Sequence, residues 1–397
     1  MHPATNAPST SAEVSVRSPR SSEWRSLSIT DGADEAERRR AERVSEEITQ
    51  MLLASLKMEH VAVLTGSGCS LAVGGPSMGD LWKAIVGDSP SEKARKTAKA
   101  AGYDLEKKNI EAFLSHIEAS LFIKKNSAVE KFLTAAKQTV LEKCNSFLEP
   151  SKLGAHETFI HRLSRRRSRD RRLKLFTTNY DLCFERAISA IGGVAIDGFS
   201  FMVPRRYDPR YFDYDIVRRP RSGESNGNFL EGVVLLHKLH GSVNWERRDD
   251  GVFETSCPSP ENACLIYPAS GKYQQSYSQP YLESISQYLA ALREPNTCVL
   301  VVGFGFNDDH LSEPLIAAVR SNPHLRLIVV DPLIKTKDTE KKLNRVQDQL
   351  LDLSLKGEDV WFINSSFGAF ADKIPDLKSL TPAERLMKAV QGTQAAS

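Results

Sequence analysis

The sequence predicts an α/β fold: a doubly wound parallel sheet with a helical insertion module. Two observations carry the fold. Short apolar runs recur along the chain, and two of them, 298–303 and 325–330, are apolar on both faces, as strands are in a parallel sheet covered by helices. Helical or irregular segments separate these runs, which is the alternation of a doubly wound domain. A third observation adds function to the fold. The segments 64–70, 177–181 and 239–242 are polar or glycine-rich, and each follows an apolar run. Each therefore sits where a buried strand would end, and open α/β sheets bind ligands outside the carboxyl ends of their strands.

The elements follow in order. Residues 1–33 are rich in Ser, Pro, Ala, Thr and Arg and read as a disordered tail, because they offer little to bury. A helix is predicted from Asp34 to Lys57, where Val44, Ile48, Leu52 and Leu56 make one face. The first strand, 60–64, leads into the glycine turn. Residues 77–166 lack a strong strand signal and read as a smaller helical module over the crevice, with Phe113, Ile117 and Leu121 on one helix face. Strands resume at 173–177, 233–238, 298–303, 325–330 and 360–363. The stretch 197–230, full of Tyr, Arg, Pro and Gly, reads as a long loop insertion of a kind that is often functional. The main domain is thus 34–76 and 167–375, and 376–397 is a C-terminal tail.

Bulk properties narrow the classes. The chain has 397 residues, with 53 Lys and Arg against 50 Asp and Glu, a net charge of +3. No global field argues for nucleic acid or a membrane surface. The apolar runs are too short to span a bilayer, and the first residues show no secretory h-region. Six cysteines form no C-x-x-C pair, so a reduced, cytoplasmic setting is expected. Cys257 and Cys264 have no second pair to complete a zinc site, so no metal is expected.

Four segments carry candidate chemistry. In Gly66-Ser67-Gly68-Cys69-Ser70 the glycines let the backbone approach a diphosphate and aim N–H groups at it, and Ser67 and Ser70 add hydroxyls. The same residues also suit a plain strand-to-helix turn. Asn179 and Asp181 bring an amide and a carboxylate to a second strand end, and both equally suit a helix cap. His240 precedes Gly241 at a third strand end, where it can act as a general base near neutral pH. His237 falls on the opposite face of the strand and does not join it. Gly303 and Gly305, with Asn307 and Asp308, make a second close-approach turn, or a helix cap. Asp331 ends the next strand, where a carboxylate can hold ribose hydroxyls or simply start the turn at Pro332. The basic run 165–172 reads as a solvated helix end, with nucleic acid or an acidic partner as its sharper alternative.

In this order the four motifs resemble the sirtuin family, in its divergent bacterial branch of NAD hydrolases, over roughly residues 58–375. The resemblance implies a Rossmann-like domain that takes NAD+ as substrate and cleaves it to nicotinamide and ADP-ribose in anti-phage defence. By resemblance, Asn179 holds water or ribose, His240 is the base and Asp181 lies by the nicotinamide carboxamide. Gly66, Ser67, Gly68 and Ser70 hold the diphosphate, with Gly303 and Asn307 across the cleft and Asp331 toward the adenosine ribose. The two cysteine pairs of zinc-bearing sirtuins are absent here, which argues against the alternative of a protein deacylase. A catalytically silent NAD or ADP-ribose scaffold is the other alternative. The resemblance further implies a homo-oligomer working beside a HerA-type DNA-translocating ATPase.

Overall fold

A computed structural model describes residues 14–29, 32–166, 170–220, 228–266, 279–335 and 343–377. In chain order the strands are β1 Ser15–Arg17, β2 Arg25–Ser26, β3 His60–Thr65, β4 Leu173–Thr177, β5 Val194–Ile196, β6 Val217–Arg218, β7 Asn228–Phe229, β8 Val233–Lys238, β9 Gly241–Arg248, β10 Gly251–Glu254, β11 Ala263–Leu265, β12 Thr297–Val302, β13 Leu325–Val330 and β14 Val360–Asn364. The main sheet runs β2-β1-β14-β13-β12-β3-β4-β8-β5. It is parallel from β14 through β5. β3 lies between β12 and β4: the strands that follow it, β4, β8 and β5, lie on one side and the later β12, β13 and β14 on the other, which is the reversal of order of a topological switch point.

Successive residues of one strand feed two cores. Val61 and Val63 join one apolar cluster, with Ile48, Leu52, Phe159 and Phe184. Ala62 and Leu64 join the other, with Leu311, Leu315, Tyr288 and Leu350. Both faces are therefore covered by helices, which is why the central strands read as unbroken apolar runs. The helix Glu35–Leu56 starts at the Asp34 cap, where Asp34 and Glu37 form a capping box. It buries Ile48, Met51, Leu52 and Leu56 against the sheet.

Three expectations change. Residues 14–28 are not a disordered tail: Ser15–Arg17 add antiparallel to the free edge of β14, and Val14 and Val16 are buried in the core. The alternation Val14, Val16 is too short to stand out in that composition, and an open sheet edge supplies what it pairs with. Residues 1–13 lie outside the described residues, as do 378–397 of the expected C-terminal tail. Second, the helix Gly154–Ser164 packs with the sheet through Phe159, Ile160 and Leu163. The separate helical core consists of Met78–Ile85, Glu92–Ala101, Ile110–Ile123 and Ser127–Ser146. Third, 197–230 is not a bare loop in its described part. Phe199, Tyr207 and Phe212 are buried with Trp245 and Val252 of a small antiparallel sheet, β10-β9-β11, that the sequence reading missed. Among the described residues no helix is long and apolar enough to cross a membrane.

Candidate functional site

The carboxyl ends of β3, β4, β8 and β12 open into one cleft. Its lining includes Gly66, Ser67, Ser70, Asn179, Asp181 and His240, with Phe304, Gly305, Asn307 and Asp308 from the late turn. Met78, Leu81, Glu111 and Cys144 of the helical module form another wall. Of the expected site residues, Gly68, Gly303 and Asp331 are outside the lining.

A short hydrogen-bond chain ties two of the motifs together. The Ser70 hydroxyl donates to Asp181 Oδ2 at 2.7 Å and accepts from Asn179 Nδ2 at 2.9 Å. Asn179 Nδ2 also donates to the Gly66 carbonyl at 3.0 Å. A carbonyl oxygen only accepts, so this contact fixes the orientation of the Asn179 amide. Both its N–H groups are engaged, and what Asn179 can offer a ligand is its acceptor oxygen. The other Asp181 oxygen accepts from the Cys183 N–H at 3.0 Å, at the start of the Cys183–Ala190 helix. Asp181, one residue before the Leu182 cap position, thus both takes up the first N–H of a helix and braces the site.

The glycine turn works differently from expectation. The N–H groups of Gly66, Gly68, Cys69 and Ser70 already bond the carbonyls of Val302, Gly303, Gly66 and Ser67, so they do not form an open row for a diphosphate. The glycines instead let two turns touch. A Cβ on Gly68 would lie 2.7 Å from the Gly303 Cα, and one on Gly303, at φ +61°, would lie 2.7 Å from the Cys69 nitrogen. The group left for an anion is Ser67, whose hydroxyl caps no helix. The late turn holds a second left-handed residue, buried Phe306 at φ +55°. For a bulky side chain that conformation costs on the order of 1–3 kcal/mol and is concentrated at functional sites. Asp308 stands at the cap position of the Asp309–Ser321 helix without a side-chain cap bond.

His240 lies between β8 and β9 and is 1% exposed. Its Nε2 is 3.4 Å from Nε2 of His310, with the rings stacked at 5.4 Å. Gly241 after it, at φ +88°, runs so close to β11 that a Cβ would strike the Cys264 carbonyl at 1.9 Å; only glycine makes this turn. His237 sits apart, buried between the rings of Phe176 and Phe212 at 4.8 and 4.1 Å. Burial pushes its pKa down to about 3. Burial also drives the thiol of Cys144 in the cleft up to about 12 and raises that of Cys69, so neither is a thiolate at neutral pH. Asp331 accepts from the Leu333 N–H at 2.7 Å and from Gln347 Nε2 at 3.3 Å, bracing its own turn.

Sequence reasoning missed His310, two residues after Asp308, and Lys238, the last residue of the strand 233–238. It also missed the module's contribution of Met78, Leu81 and Glu111. Among the described residues no group of three or more His, Cys, Asp or Glu is placed to hold a metal ion.

Residues 173–352 match the SIR2-like domain. The match takes in the Asn179, His240 and Gly303 segments and leaves the glycine turn before it. Among solved structures the chain is similar to a Sir2 homologue in complex with NAD, at 15% identity over 82% of this chain and 91% of that one, with a TM-score of 0.38. It is also similar to a mutant Sir2 homologue in complex with ADP-ribose, at 13% identity over 82% and 94%, TM-score 0.41. A third is Sir2 bound to an acetylated peptide, at 13% identity over 82% and 96%, TM-score 0.41. No curated protein matches the sequence.

Proposed function

We propose that this cleft binds NAD+ and hydrolyses it to nicotinamide and ADP-ribose. The observation that carries the reading is the meeting of Asn179, Ser70 and His240 at one cleft of a SIR2-like domain. In the reaction the bond between ribose C1′ and the nicotinamide nitrogen breaks, and its electron pair leaves with neutral nicotinamide. Water adds to the oxocarbenium-like carbon and gives up a proton. Asn179 Oδ1 orients that water or a ribose hydroxyl, and His240 takes the proton. Ser67 and the 303–308 turn hold the diphosphate from two sides. Asp181 acts from behind, through Ser70, rather than on the carboxamide.

The reading extends to NAD+ depletion in anti-phage defence, by a homo-oligomer beside a HerA-type ATPase; the motif resemblance supports this part. The test is NAD+ consumption by the purified protein, alone and with such an ATPase, beside His240→Ala. Release of nicotinamide and ADP-ribose that disappears in the variant is the expected result. Release of an O-acyl-ADP-ribose from an acylated peptide would replace hydrolysis with deacylation. Binding of NAD+ without turnover in either condition would leave a silent scaffold.

A further inference from the structure

We infer that Lys238 is a positioning residue for this cleft: its buried ammonium grips the backbone of residues 180–181 and so holds Asn179 in place beside His240. The inference rests on the NAD+ hydrolase reading above. Lys238 ends β8, in register with Thr177 of β4. Its side chain is 2% exposed. The ammonium donates to the carbonyls of Tyr180, at 3.2 Å, and Asp181, and to Glu185 Oε1 at 2.8 Å. Three protons thus meet three acceptors, which is what a buried ammonium needs. Leu236, two residues earlier on the same strand face, and Leu239, the next residue, are apolar and buried, so an apolar side chain would fill this position at lower desolvation cost. What an apolar chain cannot do is bind two carbonyls of the adjacent motif loop.

The same carbonyl of Tyr180 also accepts from the Val243 N–H at 3.0 Å, and the Tyr180 hydroxyl donates to Ile266 at 2.6 Å. The loop is therefore anchored from behind at 180–181. Its next residue back, Asn179, meets the glycine turn from the front. Two residues beyond Lys238 the chain delivers His240. One strand end sets the positions of both groups that act on the substrate, and Lys238 is the side chain that links them.

The test compares the full chain with Lys238→Met, Lys238→Arg and the double variant K238M/E185Q, which removes both charges and leaves no stranded carboxylate. Turnover of NAD+, KM, ADP-ribose affinity by calorimetry and the melting temperature are measured on each. For the double variant kcat is expected to fall about 10- to 100-fold, with KM and ADP-ribose affinity kept within about threefold. Lys238→Arg, with donors to the same carbonyls, is expected to regain part of kcat. A double variant with kcat within about twofold of wild type overturns the inference while the hydrolase reading stands. So does a parallel loss of kcat, ADP-ribose affinity and melting temperature, which would make Lys238 merely structural. A wild-type protein that does not turn over NAD+ overturns the reading itself and the inference with it.

Discussion

The two ends of the parallel sheet each gather a dense set of polar side chains and use them differently. At the carboxyl end Ser70, Asn179 and Asp181 bond one another around a cleft, with His240 on its wall. At the amino end the basic run is bonded to backbone. Arg166 is buried and donates to the carbonyls of Leu56, Met58 and Glu59 at 2.6 to 3.0 Å, closing the end of the first long helix. Arg172 forks onto Asp215 and reaches the Leu230 carbonyl at 2.6 Å. Arg165 lies 3.9 Å from Asp376. Residues 167–169 are outside the described part. The run is therefore not simply a solvated helix end: Arg165, Arg166 and Arg172 are bonded into the fold, and Arg171 is exposed. The modest Asn, Ser and His at the carboxyl end line the cleft, while Arg171, Arg172 and Lys174 border a second cavity at the amino end.

If that contrast is right, changes at the two ends separate activity from stability. The largest effect is expected at the cleft: His240→Ala or Asn179→Ala lowers the turnover of folded protein on the order of 10²–10⁴-fold, a loss far beyond that expected from destabilisation alone. Full turnover by either variant breaks the comparison. Next comes Arg166→Met, which strands three carbonyls at a helix end and costs on the order of 3 kcal/mol in urea unfolding. Its folded fraction keeps its turnover. An Arg166→Met protein that is stable but inactive, or that loses a steep salt-dependent affinity for DNA, would return the run to a binding role.

Two histidines on one strand end give the same contrast in miniature. His240 faces the cleft, whereas neither nitrogen of His237 has a hydrogen-bond partner, and the same holds for His156 between Phe184 and Phe367. Burial lowers their pKa values to about 3 and about 4. Above the ordinary histidine value both states are neutral, and these groups leave stability unchanged with pH. Below it the unfolded chain takes up protons that the folded one refuses. Stability is then lost at about 1.4 kcal/mol per pH unit for each histidine. The loss runs from about pH 6.5 down to about 4 for His156 and about 3 for His237. His237→Phe should remove one of these slopes in urea titrations at pH 7, 6 and 5, and should raise stability at pH 7 by about 1 kcal/mol. An unchanged slope would show that His237 is not buried neutral. The smallest effect is expected for Asp331→Asn, whose carboxylate braces a turn outside the cleft. It should shift stability by about 1 kcal/mol or less and leave KM for NAD+ within about twofold. A larger rise in KM would place Asp331 on the substrate.

Much of the architecture was legible because its period was undiluted. The strands at 60–64, 173–177, 233–238, 325–330 and 360–363 and the Asp34-capped helix recur in the structure nearly to the residue. Unbroken apolar runs have few other ways to be buried, and the capping box Asp34 and Glu37 acts within four residues. The order of the motifs, each after a strand, was equally local. The small sheet β10-β9-β11 and the edge strand β1 were not legible. Their strands are short, mixed in composition and paired with partners that only the folded chain brings near.

Sequence alone determined that three polar motifs would stand at strand ends and that Gly66, Gly68 and Gly303 would sit in tight turns, because strand period and glycine's missing Cβ are local properties. Tertiary structure alone decided what these residues do there. It pressed the two glycine turns against each other, so that their N–H groups bond backbone. It set Ser70 between Asn179 and Asp181, residues more than a hundred positions away, and brought His310 to His240. It also buried Lys238 against the 180–181 carbonyls. Hydrogen bonds act over about 3 Å, and a one-dimensional pattern does not say which distant donors and acceptors will come within that reach.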